Sequence, residues 1–283
     1  MDRDNASTRE CSPSSTGAHC RYGRIASTFG TGMTEGFIEF EFDLPDALLV
    51  SLVRACDGMQ AASLTPAAAG VIPEQQGIYQ LFHREKMVYI GKTDADAGLR
   101  KRLERHARTI QHRKNLVPTD VTFKAVRIFV FTAIDLESQL IAHYSADGNL
   151  PWNKSGFGSN DPGRNRDDTD LSAAAFDAQY PIDLDHAIEL SIPVGVTAAE
   201  ALTTLRSALP YTLRFEGGRR HPHHDLASAT LNTPLSEPLT TRSMLLAILA
   251  SLPKGWQATA LAGRIILYKE VRNYRHGIVI GRS

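Results

Sequence analysis

Two short runs of mostly apolar residues lie close together in the first third of the chain, separated by a charged stretch. The first run is GIYQLF, starting at Gly77, the second is MVYIGK, starting at Met87, and HREK lies between them. Runs rich in β-branched and aromatic residues on either side of a short polar stretch are typical of a β-hairpin. The pattern therefore predicts two antiparallel strands joined by a charged turn.

A helical pattern follows the hairpin. Apolar residues recur there at spacings of three and four, at Leu99, Leu103, Ala107 and Ile110. This spacing predicts an amphipathic helix that packs one face on the sheet. Arg102 and His106 are four residues apart beside the apolar stripe, so they lie on the same side of the helix.

The same helix carries a concentration of positive charge. Residues 100–114 include seven Lys or Arg and one acidic residue, although the formal net charge of the chain is +0. Such a local cluster is the electrostatic footprint of a phosphate-binding surface. A solvated basic helix face is the alternative interpretation. The phosphate-binding candidates are Lys92, Arg100, Lys101, Arg105, Arg108, Arg113 and Lys114.

A further strand and helix are predicted beyond the basic stretch. Residues 121–131 are rich in β-branched and aromatic residues, which favour a strand. Thr132, with Asp135 three residues later, is typical of a helix start. In the helix that follows, Glu137 shares the apolar face with Leu140. A buried carboxylate needs a partner such as an arginine, hydrogen-bond donors or a metal cation; the alternative is a position at the edge of the stripe that reaches solvent.

Together, these motifs resemble the GIY-YIG nucleases, which cut phosphodiester bonds with one metal ion. The hairpin contains both halves of that signature, Gly77-Ile78-Tyr79 and Tyr89-Ile90-Gly91. The resemblance implies an α+β fold whose core is a small mixed or antiparallel three-stranded sheet flanked by helices. It also implies a set of catalytic residues: Tyr79, Tyr89, Arg102, His106, Glu137 and Asn153.

The resemblance implies a role for each catalytic residue. Glu137 is expected to bind the metal, Mg²⁺ or alternatively Mn²⁺. Tyr79 is expected to take a proton from the attacking water and to pass it to His106. Arg102 and Lys92 are expected to neutralise charge on the phosphate.

Two further roles follow from the same resemblance. Tyr89 is expected to orient water or phosphate. Asn153, sixteen positions after Glu137, is expected to hold Tyr79 or Glu137 in place.

The segment that contains Asn153 resembles one branch of the GIY-YIG family in particular. LPWNKSGFGSNDPG, residues 150–163, is similar to the corresponding stretch of the type II restriction endonucleases that cut CCGCGG. This similarity implies cleavage of a short, palindromic, GC-rich site in double-stranded DNA. It also implies a homodimer on DNA, because a two-fold DNA site calls for a two-fold protein. The whole resemblance covers about residues 76–165.

Two other functions remain open. One is a repair or homing nuclease with the same catalytic module, and the other is a DNA-binding module without catalysis. The chain has 3 cysteines, which show no zinc-finger spacing, and no tandem nuclease organisation. Both features disfavour the repair and homing classes, whereas the presence of all the expected site residues disfavours a non-catalytic module.

Composition divides the chain into four parts. Residues 1–35 contain few large apolar side chains and are predicted to be a disordered tail, with Met33 as an alternative translation start that an intact-mass measurement would test. Residues 36–75 are predicted to form a helix and a linker. Residues 76–180 are predicted to form the nuclease domain. Residues 181–283 contain two helix–strand units, which predict a small α+β unit of unassigned role.

The sequence also bears on the location of the protein in the cell. No apolar run reaches the length of a membrane span, and the N-terminus lacks the apolar core of a signal peptide. The unevenly spaced cysteines favour a reducing compartment. A soluble cytoplasmic protein without a membrane partner is therefore expected.

Residues 221–225, HPHHD, contain metal-ligand residue types, but an exposed loop is the favoured interpretation.

Overall fold

The structure is a computed structural model of the chain. It describes residue 36 and residues 43–93, 96–129, 135–146, 149–217, 221–232 and 238–283. The predicted tail, the alternative start at Met33, and Thr132 therefore lie outside the described residues. Leu44–Ser283 form one compact unit. None of the helices in the described part of the chain has the length and apolar content that crossing a membrane requires.

Helices and strands in the described residues confirm the predicted α+β class. The first half contains α1 (Leu44–Asp57), β1 (Ala62–Ser63), α2 (Pro66–Gly70), β2 (Gly77–His83), β3 (Lys86–Thr93), α3 (Leu99–Thr109), a 3₁₀ turn (Pro118–Asp120), β4 (Val121–Arg127) and α4 (Leu136–Ser145). The second half contains a 3₁₀ turn (Arg164–Arg166), α5 (Phe176–Gln179), α6 (Ala198–Ala208), β5 (Thr212–Phe215), α7 (His224–Ser228), α8 (Thr241–Ser251), β6 (Gln257–Leu261), β7 (Arg264–Tyr268) and β8 (Ile278–Arg282).

The first sheet is built around the predicted hairpin. Strands β2 and β3 pair antiparallel with Tyr79 opposite Gly91, and β4 pairs antiparallel with the other side of β2. The order is β1-β4-β2-β3, so the sheet has four strands where three were predicted. The additional strand, β1, is only two residues long and lies in the predicted linker. A strand this short has no alternation of polar and apolar residues by which to recognise it.

Alternation along β2 sends neighbouring side chains to opposite faces of the first sheet. Ile78 belongs to a hydrophobic cluster with residues of α1 and α4, whereas Tyr79 belongs to a cluster with residues of α3. Successive side chains of a strand point to opposite sides. The sheet is therefore covered by helices on both faces, and Tyr79 faces α3.

The second sheet lies in the C-terminal half, with the order β5-β7-β6-β8. Strand β5 runs parallel to β7, and the other pairs are antiparallel. Helices α6 and α8 begin with capping boxes at Thr197 and Thr240 and share one hydrophobic cluster with the strands. The two predicted helix–strand units are α6–β5 and α8–β6. The stretch predicted as the strand of the second unit, residues 256–270, instead contains two strands, β6 and β7, which form a hairpin with its turn at residues 262–263.

A connecting segment, residues 153–170, runs from the first sheet to the second. Near its end, the Asp167 carboxylate is buried and accepts hydrogen bonds from Arg214 Nη1 at 2.9 Å and from Arg264 Nε at 2.9 Å. The side chain of Asp167 is only 1% exposed. Two guanidinium groups on one carboxylate offset much of the cost of burying that charge. This contact ties the connecting segment to β5 and β7.

Asp167→Asn should lower the free energy of unfolding by about 3 kcal/mol, because removal of the carboxylate leaves the largely buried Arg264 guanidinium without its ion-pair partner, whereas Arg214 keeps Asp161. Urea unfolding of the purified variant measures this loss. Asp170→Asn is the matched control, since the Asp170 carboxylate pairs with Arg275 but is 77% exposed. An equal loss of stability in the two variants would contradict the assigned importance of Asp167.

Candidate active site

Tyr79 and His106 form the centre of the candidate site. Both side chains are buried, and the Tyr79 hydroxyl oxygen lies 2.8 Å from Nε2 of His106. The residues come from different elements, β2 and α3, which the sequence pattern predicts to pack together. The tyrosine hydroxyl donates this hydrogen bond when Nε2 carries no proton.

The glycines of the two tripeptides make this arrangement possible. A Cβ at Gly91 would lie 2.6 Å from the Tyr79 hydroxyl oxygen and 2.8 Å from Cε1 of Tyr89. A Cβ at Gly77 would lie 2.3 Å from the carbonyl oxygen of Val126 on β4. Any side chain at Gly91 would displace Tyr79, and any at Gly77 would push apart β2 and β4.

Aromatic rings enclose the Tyr79–His106 pair. The Tyr89 ring centroid lies 5.9 Å from that of Tyr79 and 5.6 Å from that of His106. Phe157 stacks on His106 with a centroid distance of 4.7 Å and an interplanar angle of 15°. Phe157 was not predicted as a site residue; the GFG motif in which it lies was the available signal.

Burial keeps both members of the pair neutral, and nearby positive charge adds to this effect at His106. Burial raises the pKa of Tyr79 well above its ordinary value, and the nearby Arg102 charge opposes this only in part. Burial, together with the charges of Arg102 and Arg105, lowers the pKa of His106 to about 3. At neutral pH, the site therefore contains a phenol and a neutral imidazole.

Glu137 lies in the first turn of α4 with its side chain 27% exposed. Burial raises the pKa of its carboxyl group, and the charges of Lys92 and Arg102 act in the opposite direction. The Glu137 charge in turn raises the pKa of Tyr79. Glu137 is therefore within electrostatic range of both Arg102 and Tyr79.

Lys92 makes ionic contacts with two carboxylates at the start of α4. Its Nζ lies 2.9 Å from Oδ1 of Asp135 and 3.8 Å from Oε2 of Glu137. Asp135 also caps α4 by accepting a hydrogen bond from the backbone N–H of Ser138. Asp135 was not predicted as a site residue, and its position at the helix N-terminus was the available signal. The Lys92 ammonium group is thus paired with these two carboxylates, which compete with a phosphate for it.

The side chain of Asn153 binds the backbone of β3 and does not hold a catalytic side chain. Its Oδ1 accepts a hydrogen bond from the Ile90 N–H at 3.0 Å, and its Nδ2 donates one to the Ile90 carbonyl oxygen at 2.9 Å. These peptide groups are free to bind Asn153 because β3 is an edge strand. Asn153 therefore fixes the backbone of the Tyr89-Ile90-Gly91 tripeptide, whereas it was expected to contact the side chain of Tyr79 or Glu137.

Arg113 must be removed from the predicted phosphate-binding set. Its side chain is 4% exposed, and Nη1 donates hydrogen bonds to Asp177 at 2.7 Å and to the Tyr180 carbonyl oxygen at 3.0 Å. The guanidinium also lies over the Phe176 ring. The Arg113 guanidinium is thus occupied by contacts within the protein, where it supports packing and is not available to a phosphate.

Other members of that set also have partners within the protein. Arg100 Nε donates to the Ile72 carbonyl oxygen at 2.7 Å, and Lys101 lies 3.6 Å from the Glu74 carboxylate. Arg108 Nη2 donates to the Leu209 carbonyl oxygen at 3.3 Å, which links α3 to the C-terminal half. Two candidates make no side-chain hydrogen bond or ion pair with the described residues: Arg105 and Lys114.

The carboxylates at the start of α4 are the side chains of the candidate site that could ligate a metal cation. Within the described residues, no group of three or more His, Cys, Asp or Glu is arranged to hold a metal ion. Glu137 and Asp135 provide two neighbouring carboxylates. Mg²⁺ is commonly bound by one or two carboxylates together with substrate phosphate oxygens and water. The donor set therefore suits Mg²⁺ or Mn²⁺ shared with a phosphate, and not a metal held by protein alone.

Residues 221–225 are only in part the predicted exposed loop: His221 and His224 are exposed, but the end of the segment makes structural contacts. Their last residues begin α7, where His223 Nδ1 accepts a hydrogen bond from the Asp225 N–H. The Asp225 carboxylate accepts from Trp256 Nε1 at 2.9 Å and pairs with Lys269 at 2.8 Å.

No protein-family model matches the chain, and no curated protein matches it in sequence. Its function is therefore inferred from the side-chain arrangement described above.

The His106 imidazole should stay neutral at all pH values above about 4. Its pKa of about 3 in the folded protein lies below the usual value near 6.5. Unfolding therefore takes up a proton between these two values, so His106 should lower stability progressively as pH falls from about 6.5 towards 3. NMR titration of histidine-labelled protein, with His106→Gln to assign the resonance, measures the pKa directly. Titration of this resonance near 6.5 would contradict the buried, neutral assignment.

Proposed function

We propose that this protein is a type II restriction endonuclease with a GIY-YIG nuclease core. It hydrolyses phosphodiester bonds in a short, palindromic, GC-rich site of double-stranded DNA, with Mg²⁺ as cofactor. The observation that supports this most strongly is the buried hydrogen bond between Tyr79 and His106, with Arg102 and Glu137 in electrostatic range. The Asn-x-x-Gly-Phe-Gly segment after α4 favours the restriction branch over repair and homing nucleases.

Phosphodiester hydrolysis requires deprotonation of water, neutralisation of the developing phosphate charge and stabilisation of the leaving oxygen. A phenol of ordinary pKa near 10 is a weak base at neutral pH. Tyr79 acts instead as a relay: its oxygen takes a proton from water as its own proton passes to Nε2 of His106. The short Tyr79–His106 distance of 2.8 Å suits this transfer.

Bound DNA supplies the charge that the relay needs. The transferred proton turns His106 into an imidazolium, which burial and the charges of Arg102 and Arg105 disfavour in the free protein. A phosphate against these arginines cancels part of their charge and makes protonation of His106 less costly. The relay is therefore expected to operate efficiently only with substrate bound.

Glu137 and Asp135 would hold a divalent cation together with a phosphate of the DNA. When bound, the cation supplies Lewis-acid stabilisation of charge on the phosphate and the leaving oxygen. Arg102 adds positive charge on the side of Tyr79. Lys92 neutralises both carboxylates in the free protein, and this interaction must weaken as the cation binds.

We propose the cytoplasm as the location, because the substrate is DNA. The described cysteine, Cys56, is free and buried, which is compatible with a reducing compartment.

Glu137→Gln should abolish cleavage of plasmid DNA at ordinary Mg²⁺ concentrations, because the amide lacks the charge that binds the cation. The variant should still bind DNA, and gel-shift and cleavage assays measure the two properties separately. Glu85→Gln, in the exposed β2–β3 turn, is the matched control and should cleave normally.

The results of these assays on the variants and on the wild-type protein distinguish the candidate functions. Normal cleavage by folded Glu137→Gln would remove Glu137 from the site. DNA binding without cleavage by the wild-type protein would favour the non-catalytic module. Nicks or scattered cuts would favour a repair or homing nuclease.

Two chains should bind each palindromic duplex, because each strand of the site presents the same sequence to one active site. Sedimentation of Glu137→Gln with a CCGCGG duplex measures this ratio without loss of substrate. A duplex with the scrambled site GGCGCC is the control and should bind more weakly. A single chain that cuts both strands in one binding event would contradict the dimer.

A further inference from the structure

His106 lacks the contact that usually orients a catalytic histidine. Such a histidine commonly forms a hydrogen bond through its second ring nitrogen, which fixes the ring plane and the tautomer. In His106, Nε2 faces Tyr79, and the buried Nδ1 has no hydrogen-bond partner among the described residues. The orientation of the ring must therefore come from packing.

Two consecutive residues of the connecting segment supply that packing. Phe157 stacks almost parallel on the imidazole, with an interplanar angle of 15°. Gly158 has φ +68, and a Cβ there would lie 2.5 Å from Cε1 and 3.2 Å from Nδ1 of His106. One face and one edge of the imidazole are thus in contact with Phe157 and Gly158.

The connecting segment is held at both ends. At its start, Asn153 binds both peptide groups of Ile90, and the Ser155 carbonyl oxygen accepts a hydrogen bond from the Phe176 N–H at 2.9 Å. At its end, Arg164 donates to Glu216 at 3.0 Å and lies over the Tyr268 ring. The nearby Asp167 carboxylate is clamped by two arginines, as described above.

We propose that Phe157 and Gly158 are positioning residues for the nuclease reaction, which fix the His106 ring so that Nε2 points at the Tyr79 oxygen. The C-terminal sheet anchors the connecting segment that carries them, which gives the C-terminal half a role in catalysis. This proposal rests on the proposed function of the Tyr79–His106 pair.

Misplacement of the His106 ring should lower the rate of proton transfer from Tyr79. Proton transfer requires heavy atoms within hydrogen-bonding distance, and a displacement of about 1 Å at a reacting group costs on the order of 100-fold in rate. Rotation of the imidazole moves Nε2 away from Tyr79 without altering the surface that meets DNA. Loss of positioning should therefore lower kcat and leave KM unchanged.

Gly158→Ala and Gly156→Ala form a matched pair that tests this proposal. Both glycines have positive φ, +68 and +85, so alanine strains the backbone at either position. Only the Gly158 substitution places a methyl group against His106, because a Cβ at Gly156 meets nothing within 4 Å. The measurements are kcat and KM for cleavage of a CCGCGG duplex, together with the NMR resonances of the His106 ring.

Gly158→Ala should lower kcat by about 100-fold at unchanged KM and shift the His106 resonances. Gly156→Ala should leave kcat and the resonances close to those of the wild type. Equal effects in the two variants would overturn the proposal, since backbone strain alone would then explain them. If the wild-type protein does not cut DNA, the proposed function fails, whereas the NMR comparison still tests the positioning of His106.

A second pair covers the case in which Gly158→Ala does not fold. Phe157 and Phe176 are both buried and pack on each other with a centroid distance of 4.7 Å, but only Phe157 stacks on His106. Phe157→Leu should lower kcat and raise the His106 pKa, because the looser packing admits water to the ring. Phe176→Leu should lower stability similarly and leave both properties unchanged. Equal kcat values for the two variants would overturn the proposal.

Discussion

The buried hydrogen bond between Tyr79 and His106 is the interaction on which the rest of the site depends. Alternation along β2 directs Tyr79 towards α3, and the absence of a Cβ at Gly91 leaves room for its hydroxyl. The apolar stripe of α3 fixes the helix on the sheet and so determines where His106 lies. The Gly-Ile-Tyr and Tyr-Ile-Gly tripeptides therefore have a physical explanation: they create and enclose one tyrosine–imidazole contact.

The electrostatics of the site favour activation by substrate. Burial keeps Tyr79 and His106 neutral, and the charge of Arg102 further disfavours a proton on His106. On the proposed function, an anionic phosphate relieves this effect, because the described charges that act most on the imidazole are those of Arg102 and Arg105. At the start of α4, the ammonium group of Lys92 balances the charge of Asp135 and Glu137. On the proposed function, the free protein is thus held in a protonation state that DNA and a cation are expected to change.

Local sequence patterns were sufficient to predict the elements that carry the site but not the contacts that hold it. The hairpin follows from two apolar runs on either side of a polar turn, and α3 follows from helical spacing; both are properties of short segments. Arg113 was misassigned as a phosphate ligand because its charge is visible in sequence, whereas its burial against Asp177 depends on residues 64 positions away. The clamp on Asp167 likewise joins residues up to 97 positions apart, so no local pattern could reveal it.

Cleavage of a sequenced plasmid by the purified wild-type protein, with end mapping of the products, tests the central claim most directly. With Mg²⁺, the protein should produce discrete fragments whose ends fall at one palindromic, GC-rich sequence, and chelation of the metal should stop the reaction. Intact plasmid in the presence of both Mg²⁺ and Mn²⁺, from a protein that is folded and binds the DNA, would contradict the nuclease assignment.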